Sequence, residues 1–439
     1  MFYLKKSVLL LALASASTMA LAETNVNLDD MIVTGTRSET ALLDLAGNTG
    51  RVSEEEIDFT RADHITELTN RIPGVMIQRG SGQEHLTAIR SPILNGGAGA
   101  GSFLFMQDGI PLRAAGFANN NGLFEVNSEQ AGGIEIVRGP GSALYGSNAV
   151  HGLVNVLTRA PSLDLERVID VSVGPHDLYK IKGTVSNTDG AHGYRLSVNG
   201  THDGGWIDDS GFDQQKVTFR HDYLGDVNSF QTTFSAANLN QETAGYLKPS
   251  DPTKRFESYK DSSLAQTNSN PEAYRNVKSA RLATRWDHEV SDNSYFSVTP
   301  YLRHTEMDFL MHWKGSTDPI ETNEHQSMGV LTAYYRDLAG GHKIIIGTDM
   351  EYTQGEMTEI QTAPTSGGDE QGVHYDYEVD ATVIAPYIHT EWQLAENTRI
   401  TAGARYEYTR YEYDNKAVGP EIFGDFQRPA DRDDSFGNF

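Results

Sequence analysis

The stretch Gly132 to Thr158, GGIEIVRGPGSALYGSNAVHGLVNVLT, decides how this chain is read. A short apolar run suited to a strand, Ile134-Glu135-Ile136-Val137, leads into an Arg-Gly-Pro-Gly corner at 138–141. Tyr145-Gly146 follows, then a second β-prone run from Leu153 to Leu157. Glycine and proline at this density favour turns and close backbone approach rather than a helix. Two short strands joined by a tight corner are expected here, and they close a compact α/β region.

That region opens upstream, over Arg51 to Gln78. Ser53 with Glu56 three residues on, followed by Ile57, has the form of a helix N-cap. Ile65, Leu68 and Ile72 lie at helical spacing, and Pro73-Gly74 stops the helix. Val75 to Ile77, Leu86 to Ile89 and Phe103 to Met106 read as short strands, with a Gly-rich loop at Gly96 to Gly101. Asp108-Gly109 is a turn, with Pro111 just beyond. Before this region, Glu23 to Asn48 is polar and weakly periodic, the composition of a flexible arm. Within it, Asp30 to Arg37 (DMIVTGTR) is β-prone. A free extended segment of this kind can add as a strand to another protein's sheet edge, although an ordinary first strand would look the same. At the start, Lys5-Lys6, the apolar run Val8 to Ala16 and Ala20-Leu21-Ala22 are the parts of a secretory signal peptide. The apolar core is short for a membrane anchor helix.

Downstream, from about Val168, the texture changes to strict alternation. Tyr194, Leu196 and Val198 interleave with Arg195, Ser197 and Asn199; Phe296, Val298, Pro300 and Leu302 interleave with Ser297, Thr299 and Arg303; Ile400, Ala402 and Ala404 interleave with Thr401, Gly403 and Arg405. Connections alternate between short (291–293, 339–342, 396–397) and long (240–276, 307–325, 356–378). Roughly eleven strands of about ten residues are expected, with short turns on one side and long loops on the other, as in an outer-membrane barrel. A secreted β-sandwich also alternates, but it turns its apolar face inward.

The chain has 439 residues, no cysteine and a net charge of -25, which argues against nucleic acid as a partner. Mean hydropathy is -0.46, and no later run has the length of a transmembrane helix, which excludes a helical inner-membrane transporter. Catalytic motifs fail. Gly97 to Gly101 lacks the Lys and Ser/Thr of a phosphate loop, and neither a Gly-x-Ser-x-Gly elbow nor His-Glu-x-x-His is present. No enzyme activity and no cofactor are expected.

Four elements carry a family resemblance: Arg71-Ile72-Pro73-Gly74-Val75-Met76-Ile77-Gln78; Ile89-Arg90, with Ser91 where glycine is usual; Met106-Gln107-Asp108-Gly109-Ile110-Pro111; and Ile134 to Thr158. In this order they resemble the plug domain of TonB-dependent outer-membrane receptors, and Asp30 to Arg37 resembles that family's TonB box. The resemblance implies a mainly β fold: a transmembrane antiparallel β-barrel with an N-terminal α/β plug domain. Signal peptide (1–22), periplasmic arm (23–49), plug (50–162) and partial barrel (163–439) would follow in that order. The family's barrel has about twenty-two strands. This chain offers about half that number and ends in a charged stretch, Arg428 to Phe439, that does not read as a strand. It is therefore expected to be truncated, with the C-terminal half of the barrel missing.

The implied function is energised uptake of a scarce ligand across the outer membrane of a Gram-negative bacterium, a ferric siderophore before all others. Haem, cobalamin or another metal chelate would suit the same architecture, and a passive surface-binding or adhesion barrel is the alternative of another class. The implied partners are an inner-membrane TonB-type energy-transducing protein, a small-molecule iron chelate and outer-membrane lipid, around a monomer. Asp30, Met31, Ile32, Val33 and Thr34 would bind the energy-transducing protein. Apical plug residues Arg79, Arg90, Arg113, Phe117 and Asn119 would meet the ligand, since arginine binds oxygen anions in bidentate fashion; pairing of each arginine with an acid on the barrel wall is the competing reading. Pro73, Gly74, Asp108, Gly109, Arg138, Gly139, Tyr145 and Gly146 would shape the plug, with Arg138 clamping it to the wall. No metal site is expected. Met307, Met311 and His312, near His304 and Trp313, have ligand chemistry for haem iron or copper, but an ordinary aromatic-rich rim loop is favoured.

Overall fold

The computed structural model describes residues 31–32, 37, 40–41, 47–91, 103–114, 122–146, 148–245, 265–310, 319–363, 370–420, 422–423 and 426–439. Two bodies of structure follow one another. The first is a five-stranded sheet in the order Thr49–Ser53, Ala131–Arg138, Gly152–Thr158, Phe103–Gln107, Ile110–Pro111. Its strands pair antiparallel except for Phe103–Gln107 and Gly152–Thr158, which run parallel. A separate hairpin joins Val75–Arg79 to His85–Ile89. Two short helices cover the sheet, and one apolar core unites Val52, Ile57, Leu68, Ile77, Ile134, Ile136, Val154 and Val156.

Local chemistry accounts for these elements. Helix Glu54–Thr60 begins in the expected capping box: the Glu56 amide donates to Ser53 Oγ (3.2 Å), and the Ser53 amide donates to Glu56 Oε2 (2.8 Å). It ends at Arg61, in the left-handed region (φ 51°). The helical spacing through Ile72 yields only one turn, Thr66–Thr69, because the chain must reverse at Gly74 (φ 83°) into the hairpin. Asp108 (φ 52°) and Gly109 (φ 82°) both occupy the left-handed region, as a two-residue hairpin turn demands. The glycine-rich corner contains a single helical turn, Ser142–Tyr145, that the composition had argued against. Gly141 and Gly146 bracket four residues that are themselves free of glycine and proline, and the Gly146 amide closes the turn on the Ser142 carbonyl (3.0 Å).

The second body is a thirteen-stranded antiparallel sheet that runs in chain order from Glu166–Gly174 to Arg432–Asn438. Thr398–Arg405 and Glu407–Asn415 both pair with Gly372–Ala395, as one crossing interrupted at Tyr406. Among the described residues the two edge strands do not pair with each other, so the wall is open. Its sorting of side chains is the reverse of a sandwich. Leu196 is 42% exposed and Val198 43%, while Arg195 is 5% and Ser197 3% exposed. The apolar face points out and the polar face points in, toward the first sheet, as lipid outside and a plugged lumen inside require.

Several crossings exceed the expected ten residues: Pro319–Leu338 has 20 and Gly372–Ala395 has 24. Much of the stretches assigned to loops at 307–325 and 356–378 is therefore strand. There the outward residues turn polar (Glu306, Glu324, Glu356), so the apolar alternation stops while the hydrogen-bond ladder continues. The charged end is also corrected: Arg432–Asn438 is a strand, registered on Glu407–Asn415 from Arg432↔Tyr413 to Asn438↔Glu407. The exposed ladder groups of its neighbour dictate it, not a hydrophobic pattern. Short turns (Leu338 to His342, Ala395 to Thr398) lie at one rim. An outward aromatic row follows that rim, with Phe230 stacked on Trp286 (6.4 Å), Phe296 near Tyr334 (4.8 Å) and His342 near Trp392 (5.0 Å), placing a membrane interface there. No helix of the described residues is long and apolar enough to cross a membrane.

Candidate functional site

The arm, the plug and the wall meet at one point. Arg37 Nη1 and Nη2 donate to the two carboxylate oxygens of Asp349 (2.9 and 2.8 Å), a bidentate pair from arm to wall. Nη1 also donates to the Tyr387 hydroxyl (3.1 Å), and Nη2 to the Leu144 carbonyl of the plug. The guanidinium lies over the rings of Tyr145 (4.7 Å) and Tyr387 (4.6 Å), and the Tyr335 hydroxyl donates to the Arg37 carbonyl (2.8 Å). Arg405 Nη1 donates to the same Asp349 carboxylate (2.7 Å). Burial opposes the Arg37 charge, but Asp349 and Tyr387 outweigh it and hold its pKa above the usual arginine value. Tyr145 and Gly146 thereby acquire a structural reason. Tyr145 gives the guanidinium a face, and at Gly146 (φ 87°) a side chain would run into the Glu407 carboxylate.

Just before Arg37, Met31–Ile32 pairs antiparallel with Thr40–Ala41, so this part of the arm folds back on itself. Asp30, Val33 and Thr34 lie outside the described residues. Sequence reasoning placed Arg37 only as the end of a β-prone stretch, and no local signal ties it to an acid at position 349.

Elsewhere the wall grips the plug through cations. Lys180 Nζ reaches Asp63 (2.7 Å) and Glu129 (3.0 Å), and Arg281 Nη2 reaches Glu125 (2.5 Å). Arg220 Nη1 donates to the Thr158 carbonyl (2.6 Å) and Arg303 Nη1 to the Pro111 carbonyl (2.5 Å). Asp108 binds within the plug: its carboxylate accepts from the Thr158 amide (2.7 Å) and hydroxyl (2.6 Å), and Gly109 donates to Asn155 (3.0 Å). Burial pushes the Asp108 carboxyl above its ordinary pKa against those two bonds. Arg138 differs from expectation. Its bonds run to Pro73 (2.6 Å) and Thr49 (3.5 Å), tying plug to plug instead of plug to wall, because its strand ends at the plug's base beside Asn48. Gly139 follows it at φ 141°.

The hairpin tip faces the other rim. Gln83 donates its amide to Gln241 (3.0 Å), Ala244 donates to Ser81 Oγ (3.0 Å), and Arg275 Nε donates to Glu84 (2.9 Å). Gln241 lies at the end of Asn228–Glu242 that is distant from the short turn. Arg79, exposed, sits just below this tip. Arg90 (φ 49°) sits at the hairpin's base, its amide bonded to the Gly74 carbonyl (2.9 Å) and its charge close enough to lower the pKa of Arg138 after burial. Arg113 is half-buried, and burial lowers its pKa. Its neighbour Ala114 packs with Val379, Met357, Tyr377, Tyr411 and Tyr413 of the wall, and the Tyr377 and Tyr413 rings are 5.1 Å apart. Arg113 thus adjoins in sequence a residue packed on a tyrosine-bearing part of the wall. Phe117 and Asn119 fall outside the described residues.

Below the tip, His64 and His85 form a buried edge-to-face pair (6.2 Å), and His85 meets Phe105 (5.8 Å). Burial drives their pKa values to about 3 and about 4. Met307 is inward in an apolar cluster with Phe124, Phe212 and Phe309, its sulfur accepting from Arg275 (3.2 Å), whereas His304 occupies an even, outward position on the same strand. Met311, His312 and Trp313 lie outside the described residues. Among the described residues no three His, Cys, Asp or Glu side chains gather as a metal site.

A small α/β body held by cations inside an outward-apolar β wall, with its N-terminal arm tied at their seam, defines a plugged outer-membrane receptor barrel. Residues 41–153 match the TonB-dependent receptor plug domain, and residues 176–439 match the TonB-dependent receptor-like β-barrel. The chain belongs to the TonB-dependent receptor family. It is 27% identical over 251 residues to the vitamin B12 transporter BtuB of Vibrio vulnificus, an alignment covering 55% of this chain and 38% of that protein. The fold resembles the ferric citrate transporter FecA in its unliganded form (TM-score 0.71, 18% identity, 90% of this chain and 59% of that one). It also resembles the ferric-catecholate import receptor Fiu of E. coli in its open form (TM-score 0.69, 17% identity, 91% and 66%). A third likeness is to the ferric yersiniabactin uptake receptor FyuA of Yersinia pestis (TM-score 0.66, 14% identity, 89% and 60%). The chain therefore spans well under two thirds of its curated relative, and about three fifths to two thirds of these structures.

Proposed function

We propose that this chain belongs to an energised outer-membrane importer of a scarce metal chelate, with a ferric siderophore as the first ligand class. The tie at Arg37 carries the reading. It joins the arm to the plug carbonyl of Leu144 and to Asp349 of the wall, so a pull on the arm is a pull on the plug–wall seam. An inner-membrane partner would capture Asp30 to Thr34 by strand addition, in place of the two-residue pairing with Thr40–Ala41. Arg79 near the hairpin tip and Arg113 next to Ala114 would meet an anionic chelate, together with Phe117 and Asn119. Arg90, at the hairpin base, would act in positioning. The similarity to a vitamin B12 transporter favours cobalamin as the second reading.

The test is uptake by cells that carry the full-length receptor as their only route. Deleting Asp30 to Arg37 should abolish concentrative uptake of labelled ligand while leaving surface binding; undiminished uptake would sink the energised reading. Supplying ferric siderophores and cobalamin separately distinguishes the two ligand classes.

A further inference from the structure

Three neighbouring wall strands, Leu178–Asp189, His192–Asp203 and Phe212–Leu224, turn a cationic face toward the plug. Their register sets the inward side chains in rows: Arg195 opposite Arg220, then Thr184, Ser197 and Thr218, then Lys182, Asn199 and Lys216, with Lys180 beyond. Lys180, Arg195, Lys216 and Arg220 are all buried. Among the inward positions of 180–186, 195–199 and 214–222 the one acid is Asp222, which pairs with Arg220 (2.8 Å). Like charges set opposite one another repel, and carboxylates from outside this face answer them. Glu166 of the next strand holds Arg195 (2.6 Å), while Asp63 and Glu129 of the plug hold Lys180 (2.7 and 3.0 Å). Lys216 is drawn to Glu129 and repelled by Lys180. Further along the wall the inward face is different in kind: Ala333, Tyr335 and Ile345 pack on the plug as an apolar cluster.

Between this face and the plug lies a small polar cavity of about 10 Å3, lined by Asn127, Gln130 and Thr158 of the plug and by Ser197, Thr218 and Arg220 of the wall. The Asn127 amide and the Thr218 hydroxyl are buried there and have no hydrogen-bond partner among the described residues. An incomplete set of bonds makes this stretch of the seam easier to part than a satisfied one. We propose that the cationic face is an anion lane: an anionic chelate descends along it between plug and wall, and its oxygens take the lysines over from Asp63 and Glu129. The inference rests on the importer reading above. Charge decides the route. A shift of the plug removes Asp63 and Glu129 from Lys180, and a buried lysine stripped of its carboxylates must find another anion. A chelate that carries oxygen anions supplies one; a neutral or cationic ligand does not. Lys180 lies near the start of its strand and Arg195 near the turn that follows it, so the cations run the length of the hairpin.

The chain has no cysteine, so a single introduced thiol reports on one place. In cells carrying the full-length receptor, Ser197→Cys and Thr218→Cys are treated with 2-sulfonatoethyl and with 2-(trimethylammonio)ethyl methanethiosulfonate, and each rate is divided by that reagent's rate with free glutathione. Both thiols should favour the anionic reagent about tenfold. Adding Lys216→Gln should cut that preference about threefold, while Lys216→Arg should retain it. Ile345→Cys, in the apolar cluster, should show no preference. Equal normalised rates at the two lane thiols, rates no faster than at Ile345→Cys, or a preference untouched by Lys216→Gln would overturn the lane. Neither the arm nor a known ligand enters this measurement, so its failure leaves the energised reading standing, and failure of that reading in the uptake test leaves the thiol rates unchanged.

Discussion

In the plug, Ile57 is buried while Glu54, Glu55 and Glu56 of the same helix are outside; in the wall, Arg195 and Ser197 are buried while Leu196 and Val198 are outside. Both regions alternate polar and apolar residues, and both satisfy their backbone in sheets. The difference is the medium. The plug collapses around its own core as any domain in water does. The wall has hydrocarbon on one side and the plug on the other, so it turns its polar residues toward a partner that can hydrogen-bond them. Plug and wall therefore meet through charged and carbonyl groups as well as through apolar clusters, such as Leu104, Met106, Leu144 and Leu153 of the plug with Ala333, Tyr335 and Ile345 of the wall.

Where the two regions share a charge, the contrast breaks hardest. Asp349→Ala would leave Arg37 and Arg405 buried without their common carboxylate, and about 3–5 kcal/mol is the expected loss. Limited proteolysis should then cut the arm near residue 37 far faster, and an unchanged cleavage rate would show that the tie bears nothing. Next comes the outward face. Leu196→Arg places a guanidinium against hydrocarbon at roughly 2–4 kcal/mol near the bilayer midplane, whereas Glu55→Arg on the plug's water-facing helix should stay within about 1 kcal/mol. Urea titration in lipid vesicles compares them, and equal costs would dissolve the contrast.

Acid sharpens the contrast from the plug's side. His64 and His85 are held neutral, with pKa values lowered to about 3 and about 4 by burial. Their contribution is fully present above the unfolded value of about 6.5, and it is lost as pH falls from there through 4 toward 3. Over that window each imidazole removes about 1.4 kcal/mol per pH unit. Plug unfolding followed by Phe or Tyr fluorescence should show the combined slope, and His64→Gln should roughly halve it. The smallest expected effect is Ser53→Ala, which removes the capping-box oxygen at about 1 kcal/mol and lowers the melting temperature only slightly.

What the sequence disclosed divides along the same line. Patterns imposed by a medium or by local backbone geometry were legible: the lipid-facing Tyr194, Leu196 and Val198, the Ser53–Glu56 box, the Asp108-Gly109 turn. Features imposed by a partner far along the chain were not. Arg37 and Asp349 are 312 residues apart, and nothing near either announces the other. Arg138 follows an apolar strand, and its bonds run to Pro73 and Thr49 of the plug instead of to the wall. The last strand has no alternation, since an offered ladder shapes it and no core does. The strands above the bilayer escaped notice because their outward faces meet water.

The seam between plug and wall has a mechanical consequence. Lys180, Arg220, Arg281, Arg303 and Arg405 each hold the plug or its tether by a few short, directional bonds, several of them to single carbonyls. Such contacts lose most of their strength within about an ångström of travel, and water can replace each of them. A force entering at residue 37 would therefore load these fasteners in succession, so the polar part of the seam should yield stepwise and re-form when released. The apolar clusters beside them, with Leu144 and Tyr145 of the plug against Tyr335, Ile345 and Tyr387 of the wall, would instead resist as a whole and then give way.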